Sequence, residues 1–323
     1  MRLARIEDGP AGGPLMIFVH GWPELGLVWR AQMAHFAALG MRCVAPDMRG
    51  YGDSPVPSEP SAYALREIAG DLLELHDELG GEPAVWVGHD WGSPAVFSLA
   101  AHHPDRCRAV ASLCVPYAAS GFALRNLLPL VDRAVYPADR YPDGQWSYYR
   151  FYSVDFDRAA EDFESDVAAT VAMLFRPGSA RWVGRPARSA DVVANGGWFG
   201  PARRPPRFPR EDSLLAPADF DTVVAALSRN GFRGPDSWYV NDDANLAYAA
   251  EAPDGGRLRM PVLMVHAAWD SVCDTAHTRL ADPMRADCER LSEVTLEGGH
   301  DLMLECPGLV NAALETWLDP VVR

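Results

Sequence analysis

"AVWVGHDWGS" (84–93) opens as four apolar residues and closes as the start of a helical pattern, with glycines at 88 and 92 around Asp90. The frame is that of a nucleophile elbow, G-x-S-x-G, in which a sharp strand-to-helix turn pushes the central side chain into a cleft. Here the central residue is a carboxylate. An elbow of this kind needs a strand before it and a helix after it, and the surrounding chain carries strand and helix patterns in alternation. Short, nearly continuous apolar runs at 15–19 "LMIFV", 41–45 "MRCVA", 84–87 "AVWV", 109–115 "AVASLCV", 262–266 "VLMVH" and 291–296 "LSEVTL" suit strands covered on both faces. Between them, Leu65, Ile68, Leu72, Leu75 and Leu79 recur at helical spacing until Gly80 and Gly81, and Leu309, Ala313, Leu314 and Trp317 form a stripe behind Pro307. The alternation predicts an α/β fold with an open, mostly parallel sheet and right-handed crossovers. From about 117 to 246 the rhythm stops. That stretch is rich in aromatics, arginine and proline, with helical patterns such as Phe220, Val223, Val224 and Leu227 but no clear strand, and reads as a helical insertion whose residues 177–213 form a long loop.

Composition narrows the function classes. A chain of 323 residues, 48% hydrophobic, can bury a large core, and a net charge of −15 argues against nucleic acid and anionic membrane surfaces as partners. No apolar run reaches the length of a membrane span, and "MRLARIEDGPAGG" lacks the apolar stretch of a signal peptide. Six cysteines without C-x-x-C spacing read as reduced thiols, which makes a cytoplasmic location the expectation. Neither a metal-ligand cluster nor a glycine-rich phosphate loop is evident, so no metal and no cofactor are expected.

Four unusual stretches each follow the end of an expected strand: "HGWPE" (20–24), "GHDWG" (88–92), "AAWD" (267–270) and "EGGH" (297–300). In an open parallel sheet these ends share one edge, where ligands bind. Asp90, Asp270 and His300 are thereby brought together in the chain order nucleophile, acid, histidine. A carboxylate attacking an ester would give an anhydride, whereas attack on a saturated carbon bearing a leaving group gives an alkyl ester of the enzyme. Water must then cleave that ester. His300 is the candidate base, Asp270 its orienting acid, and the backbone N–H of Trp91 one donor to the oxyanion. Asp274 is a rival to Asp270, and the end of the run 109–115, "LCVPY", offers no acid.

The motifs "HGWPE…WR", "DMRGYGDS", "GHDWGS", "HPDRCRAVASL", "GFRGPDSWY", "PVLMVHAAWD" and "EGGHDLMLECP" together resemble an α/β-hydrolase-fold epoxide hydrolase of the soluble type over nearly the whole chain. The resemblance implies a core domain of residues 1–116 and 247–323, a helical cap of 117–246, and conversion of an apolar epoxide and water to a vicinal diol without a cofactor. It places the second oxyanion donor at the N–H of Trp22, beside a cis bond to Pro23. It also supplies acids for the leaving oxygen: Tyr239 in "GFRGPDSWYVN", and in "YYRFY" the Tyr-x-x-Tyr pattern that selects Tyr149, with Tyr148 and Tyr152 ranked behind. Trp22, Trp91, Trp146, Trp198 and Phe199 are candidate pocket walls. With only 19 residues before His20, the usual first strand is expected to be short or missing. The alternatives are a haloalkane dehalogenase using the same aspartate, whose relatives often carry Asn at position 22, and a non-catalytic ligand-binding protein.

Overall fold

The computed structural model describes the backbone of residues 1–322 and the side chains of 1–320. Seven strands form one sheet: β1 (Arg5–Asp8), β2 (Leu15–Val19), β3 (Arg42–Pro46), β4 (Ala84–His89), β5 (Cys107–Leu113), β6 (Leu258–Ala267) and β7 (Cys288–Leu296), in the spatial order β1-β3-β2-β4-β5-β6-β7. Only β1 is antiparallel, pairing Arg5 with Pro46 and Asp8 with Cys43. The first strand is therefore short, as expected, with four residues. Its sequence, "RIED", is half-buried to exposed along an edge and carries no apolar run to betray it.

The chain steps from β2 out to β3, then back past β2 to β4. Right-handed crossovers in opposite directions put their helices on opposite faces. Accordingly the helix Arg30–Ala38 pairs with Pro307–Val322, while Leu65–Glu78 pairs with Gly92–His102. β2 and β4 are buried at every position, the reason both read as continuous apolar runs. In register, Phe18 lies beside Val87 and Val87 beside Ala111, so the ends of β2, β4 and β5 finish level at one edge. The expected strand 109–115 instead starts at Cys107 and leaves the sheet at Cys114, whose φ is +70°.

Between β5 and β6 there is no strand among the described residues. The segment is built from the helices Ser147–Val154, Phe156–Glu164, Val167–Leu174, Pro217–Asn230 and Asp242–Ala250 with short turns between them. Residues 177–213 hold only single 3₁₀ turns. The expected boundary at 246 falls inside a continuous helix, Asp242–Ala250, which is tied to the core where Asn245 Oδ1 accepts the Leu65 N–H at 2.7 Å. None of the six cysteines is paired, and five are buried. No helix among the described residues is long and apolar enough to cross a membrane.

Candidate active site

Asp90 ends β4 with φ +46°, in the left-handed region that a non-glycine residue enters only under constraint. The constraint is visible at its neighbours. A Cβ on Gly92 would lie 2.1 Å from the Val19 carbonyl oxygen, and one on Gly88 would lie 2.6 Å from the Gly92 carbonyl oxygen. Only glycine lets the helix Gly92–His102 pack so close to β2, and the tight turn this permits lifts Asp90 out of the sheet. The loop after β2 comes beneath the carboxylate in the same way. A Cβ on Gly21 would sit 2.4 Å from Asp90 Oδ1 and 2.7 Å from the Trp91 nitrogen. The Trp22 N–H donates to Asp90 Oδ1 at 2.7 Å, and the Trp22–Pro23 bond is cis.

His300 and Asp270 arrive from β7 and β6. His300 Nδ1 bonds Asp270 Oδ2 at 2.6 Å, and His300 Nε2 lies 3.5 Å from Asp90 Oδ2. Asp270 Oδ1 accepts the N–H groups of Val272 and Cys273 at 2.8 and 2.9 Å, which fixes the carboxylate plane. Asp274 instead bonds His277 at 2.9 Å. Burial works against charge on all three residues, but their mutual attraction prevails. Asp270 is held below the usual carboxylate range by His300 and the two N–H groups, Asp90 chiefly by His300, and His300 is raised well above its ordinary value by Asp270 and then Asp90. A third of the His300 side chain stays accessible.

Over this edge hang the aromatics of the insertion, and here one expectation fails. The Tyr149 hydroxyl is turned away, donating to Asp242 Oδ1 at 2.5 Å. On the helix Ser147–Val154 neighbours point about 100° apart, and it is Tyr148 that faces the catalytic edge. Its hydroxyl is pushed well above its ordinary value by enclosure, then by Cys273 and Asp90. Tyr239 is likewise raised by burial and then by Asp90. The two rings meet edge to face with centroids 5.7 Å apart. Among the described residues neither hydroxyl has a hydrogen-bond partner, whereas that of Tyr149 does. "YYRFY" contained both tyrosines, and the register of a short helix against the sheet decided between them.

Residues 14–307 match the alpha/beta hydrolase fold family. The chain is 33% identical over 321 residues to epoxide hydrolase A of Mycobacterium tuberculosis, covering 98% of this chain and 94% of that protein. The chain belongs to the α/β-hydrolase-fold epoxide hydrolases. It is also 30% identical to the bifunctional epoxide hydrolase 2 of Sus scrofa, spanning 54% of that longer protein. Among solved structures, epoxide hydrolase A from Mycobacterium thermoresistibile superposes with a TM-score of 0.78 at 30% identity over 97% of this chain and 93% of that one. An epoxide hydrolase from an endophytic Streptomyces gives 0.80 at 29% identity over 98% and 92%.

Around the tyrosines the epoxide hydrolase builds an aromatic enclosure. Trp198 stacks on Trp22 at 6.4 Å and meets Tyr148 at 5.4 Å, and Phe163 packs on Trp22 at 5.2 Å. Of the other expected pocket walls, Phe199 sits behind Phe163 at 5.7 Å, and Trp146 is fully buried behind Phe122 and Tyr148. Beneath the catalytic edge lies a support whose parts the sequence displayed without revealing their use. Glu24 Oε2 accepts the Gly21 N–H at 2.8 Å and Glu24 Oε1 lies 3.0 Å from His89 Nδ1, while His89 Nε2 contacts the His300 carbonyl oxygen at 2.8 Å. This chain of contacts ties the Trp22 loop to the His300 loop under Asp90. Glu24 holds His89 well above its ordinary value against the cost of burial. Two groups, His89–Cys114–His300 and Glu24–His89–Asp301, have donor atoms within 4.8 Å of one another. In both groups His89 already faces Glu24 on one side and the His300 carbonyl oxygen on the other.

Proposed function

We propose that this epoxide hydrolase opens apolar epoxides through a covalent ester on Asp90. Asp90 Oδ1 is engaged by the Trp22 N–H, which leaves Oδ2 to attack an epoxide carbon. As the new C–O bond forms, the ring C–O bond breaks and its oxygen takes a proton from Tyr148 or Tyr239, the two hydroxyls that face Asp90 without partners. Water then adds to the Asp90 carboxyl carbon and gives a proton to His300 Nε2. The oxyanion develops on Oδ1, where the Trp22 N–H already points and the Trp91 N–H lies close. Collapse of the tetrahedral species expels the diol oxygen, which takes the proton held by His300, and the second water proton, left on the Asp90 carboxyl, passes to the tyrosinate.

Esterification also prepares the second step. The Asp90 charge is one of the causes that raise His300. Turning that carboxylate into a neutral ester removes the contribution, so His300 becomes a freer base when a base is needed. The aromatic walls favour an apolar substrate. The observation that carries the reading is the pairing of an elbow carboxylate with two unpartnered tyrosine hydroxyls. Displacement of a halide by Asp90 is poorly served, because the Trp22 indole N–H is engaged by Asp236 at 2.9 Å.

His300→Ala should trap the intermediate. With a terminal aryl epoxide, the peptide containing Asp90 should gain the mass of one epoxide. Diol production at the normal rate with no such adduct would refute the mechanism.

A further inference from the structure

Asp236 is a fully buried carboxyl in the insertion, three residues before Tyr239, and the reaction above gives it no task. Its segment is pressed onto the core at a glycine-on-glycine contact: a Cβ on Gly234 would lie 2.8 Å from the Tyr63 hydroxyl and 3.1 Å from the Gly50 Cα. Asp236 Oδ1 accepts the Trp22 indole N–H at 2.9 Å. Trp22 is thus held at both ends, its backbone N–H by the nucleophile and its indole N–H by the insertion. Asp236 Oδ2 lies near the Tyr152 hydroxyl, and both atoms are buried with no hydrogen-bond partner in bonding geometry. The Tyr152 ring stacks on Tyr239 with centroids 4.5 Å apart and planes 17° apart.

The geometry points to Asp236 as a positioning residue for both half-reactions, holding the Trp22 oxyanion donor directly and the Tyr239 acid through Tyr152. The inference rests on the roles proposed for Trp22 and Tyr239. Its chemistry is consistent with the site. Burial pushes the Asp236 carboxyl well above the usual range, and Arg233, the nearest cation in sequence, is exposed and bonded to Asp157. A neutral carboxyl has one oxygen to accept from the indole and one O–H to offer the tyrosine, so it joins the two without a counter-ion. Misplacing a catalytic group by about 1 Å can cost about 100-fold in rate, and each of these contacts lies one residue from a reacting atom.

The test is a single-turnover quench on the full chain with a terminal aryl epoxide, following formation and decay of the Asp90 ester by mass. Asp236→Leu removes both polar contacts at similar volume. Ester decay should slow about 30- to 100-fold and ester formation about tenfold, with KM changed less than about threefold. Asp236→Asn keeps an acceptor and a donor and should restore both rates to within about threefold. Trp22→Phe, which removes the indole N–H together with part of the ring packed on Phe163 and Trp198, should slow decay at least as much as Asp236→Leu does, and adding Asp236→Leu to it should slow decay no further. Rates within about twofold of the parent in folded Asp236→Leu overturn the inference, as does Asp236→Asn being as slow as the leucine variant. Should Asp236→Leu fail to fold, Trp22→Phe decides: decay at the parent rate overturns it. Diol formation with no ester in any variant sinks the underlying reaction and this inference together. Ester chemistry that is intact and insensitive to Asp236 sinks this inference alone.

Discussion

Residues 84–93 and residues 147–154 meet over the same carboxylate, yet different forces position them. The elbow is an extension of a hydrogen-bonded strand. β4 is paired on both sides, its register with β2 and β5 continues to Gly88 and His89, and Gly88 and Gly92 admit one backbone path between β4 and the next helix. Where Asp90 points follows from backbone contacts. The helix Ser147–Val154 has no ladder. It is eight residues long, its first turn carries no side-chain cap, and its rotation is set by which side chains find partners in the assembled molecule. Tyr149 finds Asp242, half-buried where the helix Asp242–Ala250 begins, and that bond turns Tyr148 toward Asp90. A strand end transmits its register to the residue that follows. A short helix in an insertion takes its register from whatever it lands on.

This contrast separates the two chemical steps, and variants can test the separation. The largest effect is expected in the insertion. Tyr148→Phe and Tyr239→Phe should each slow ester formation by about 100-fold, within the range for removing a general acid. Both should leave ester decay within about threefold, read by the same single-turnover quench. A normal rate of ester formation in Tyr148→Phe together with a slow one in Tyr149→Phe would break the contrast, because the Tyr-x-x-Tyr reading of the sequence would then outrank the helix register.

The next effect belongs to the core and to pH. The His300 pKa is raised in the folded protein, so its charged form is the favoured one. The ion pair with Asp270 therefore stabilises the fold fully below the ordinary histidine value of about 6.5, and that stability is lost as pH rises through the raised value. Catalysis has the opposite requirement, a neutral His300. Ester decay should slow about tenfold per unit as pH falls below the His300 pKa of the ester form, while ester formation changes little until Asp90 itself protonates. Equal sensitivity of the two steps would show that His300 acts before the ester exists.

The smallest effect on rate is expected for Tyr149→Phe, within about threefold on both steps. Its consequence is structural. It leaves the half-buried Asp242 Oδ1 without that donor, which should cost about 1 kcal/mol of stability, measurable as a lower midpoint of denaturation.

Much of the fold was legible because the strands of a doubly covered sheet are apolar on both faces. The six runs identified in the sequence are six of the seven strands, and β1 escaped because an edge strand needs no such run. Asp90, Asp270 and His300 were legible for the same reason, each lying a few residues past a strand end, and the 2.6 Å bond between His300 and Asp270 chose between Asp270 and Asp274. The Glu24–His89 support was in plain view within two motifs, but its use depends on a contact with the His300 carbonyl oxygen, and a backbone atom's neighbours leave no mark on composition or spacing. Asp236 was quoted within "GFRGPDSWY" and passed over, because an aspartate before an aromatic pair reads as a surface residue until its burial is known.

The amino-acid order alone determined that a carboxylate stands at a glycine-framed turn after a central strand, with an acid and a histidine at later strand ends. Alternation and steric exclusion are local, and one face of a parallel sheet gathers its strand ends without further instruction. Only the tertiary structure decided which tyrosine of "YYRFY" faces that carboxylate and that a buried aspartate of the insertion grips Trp22. Those choices follow from partners found across long stretches of chain, where hydrogen bonding and burial, rather than periodicity, determine which side chain turns inward.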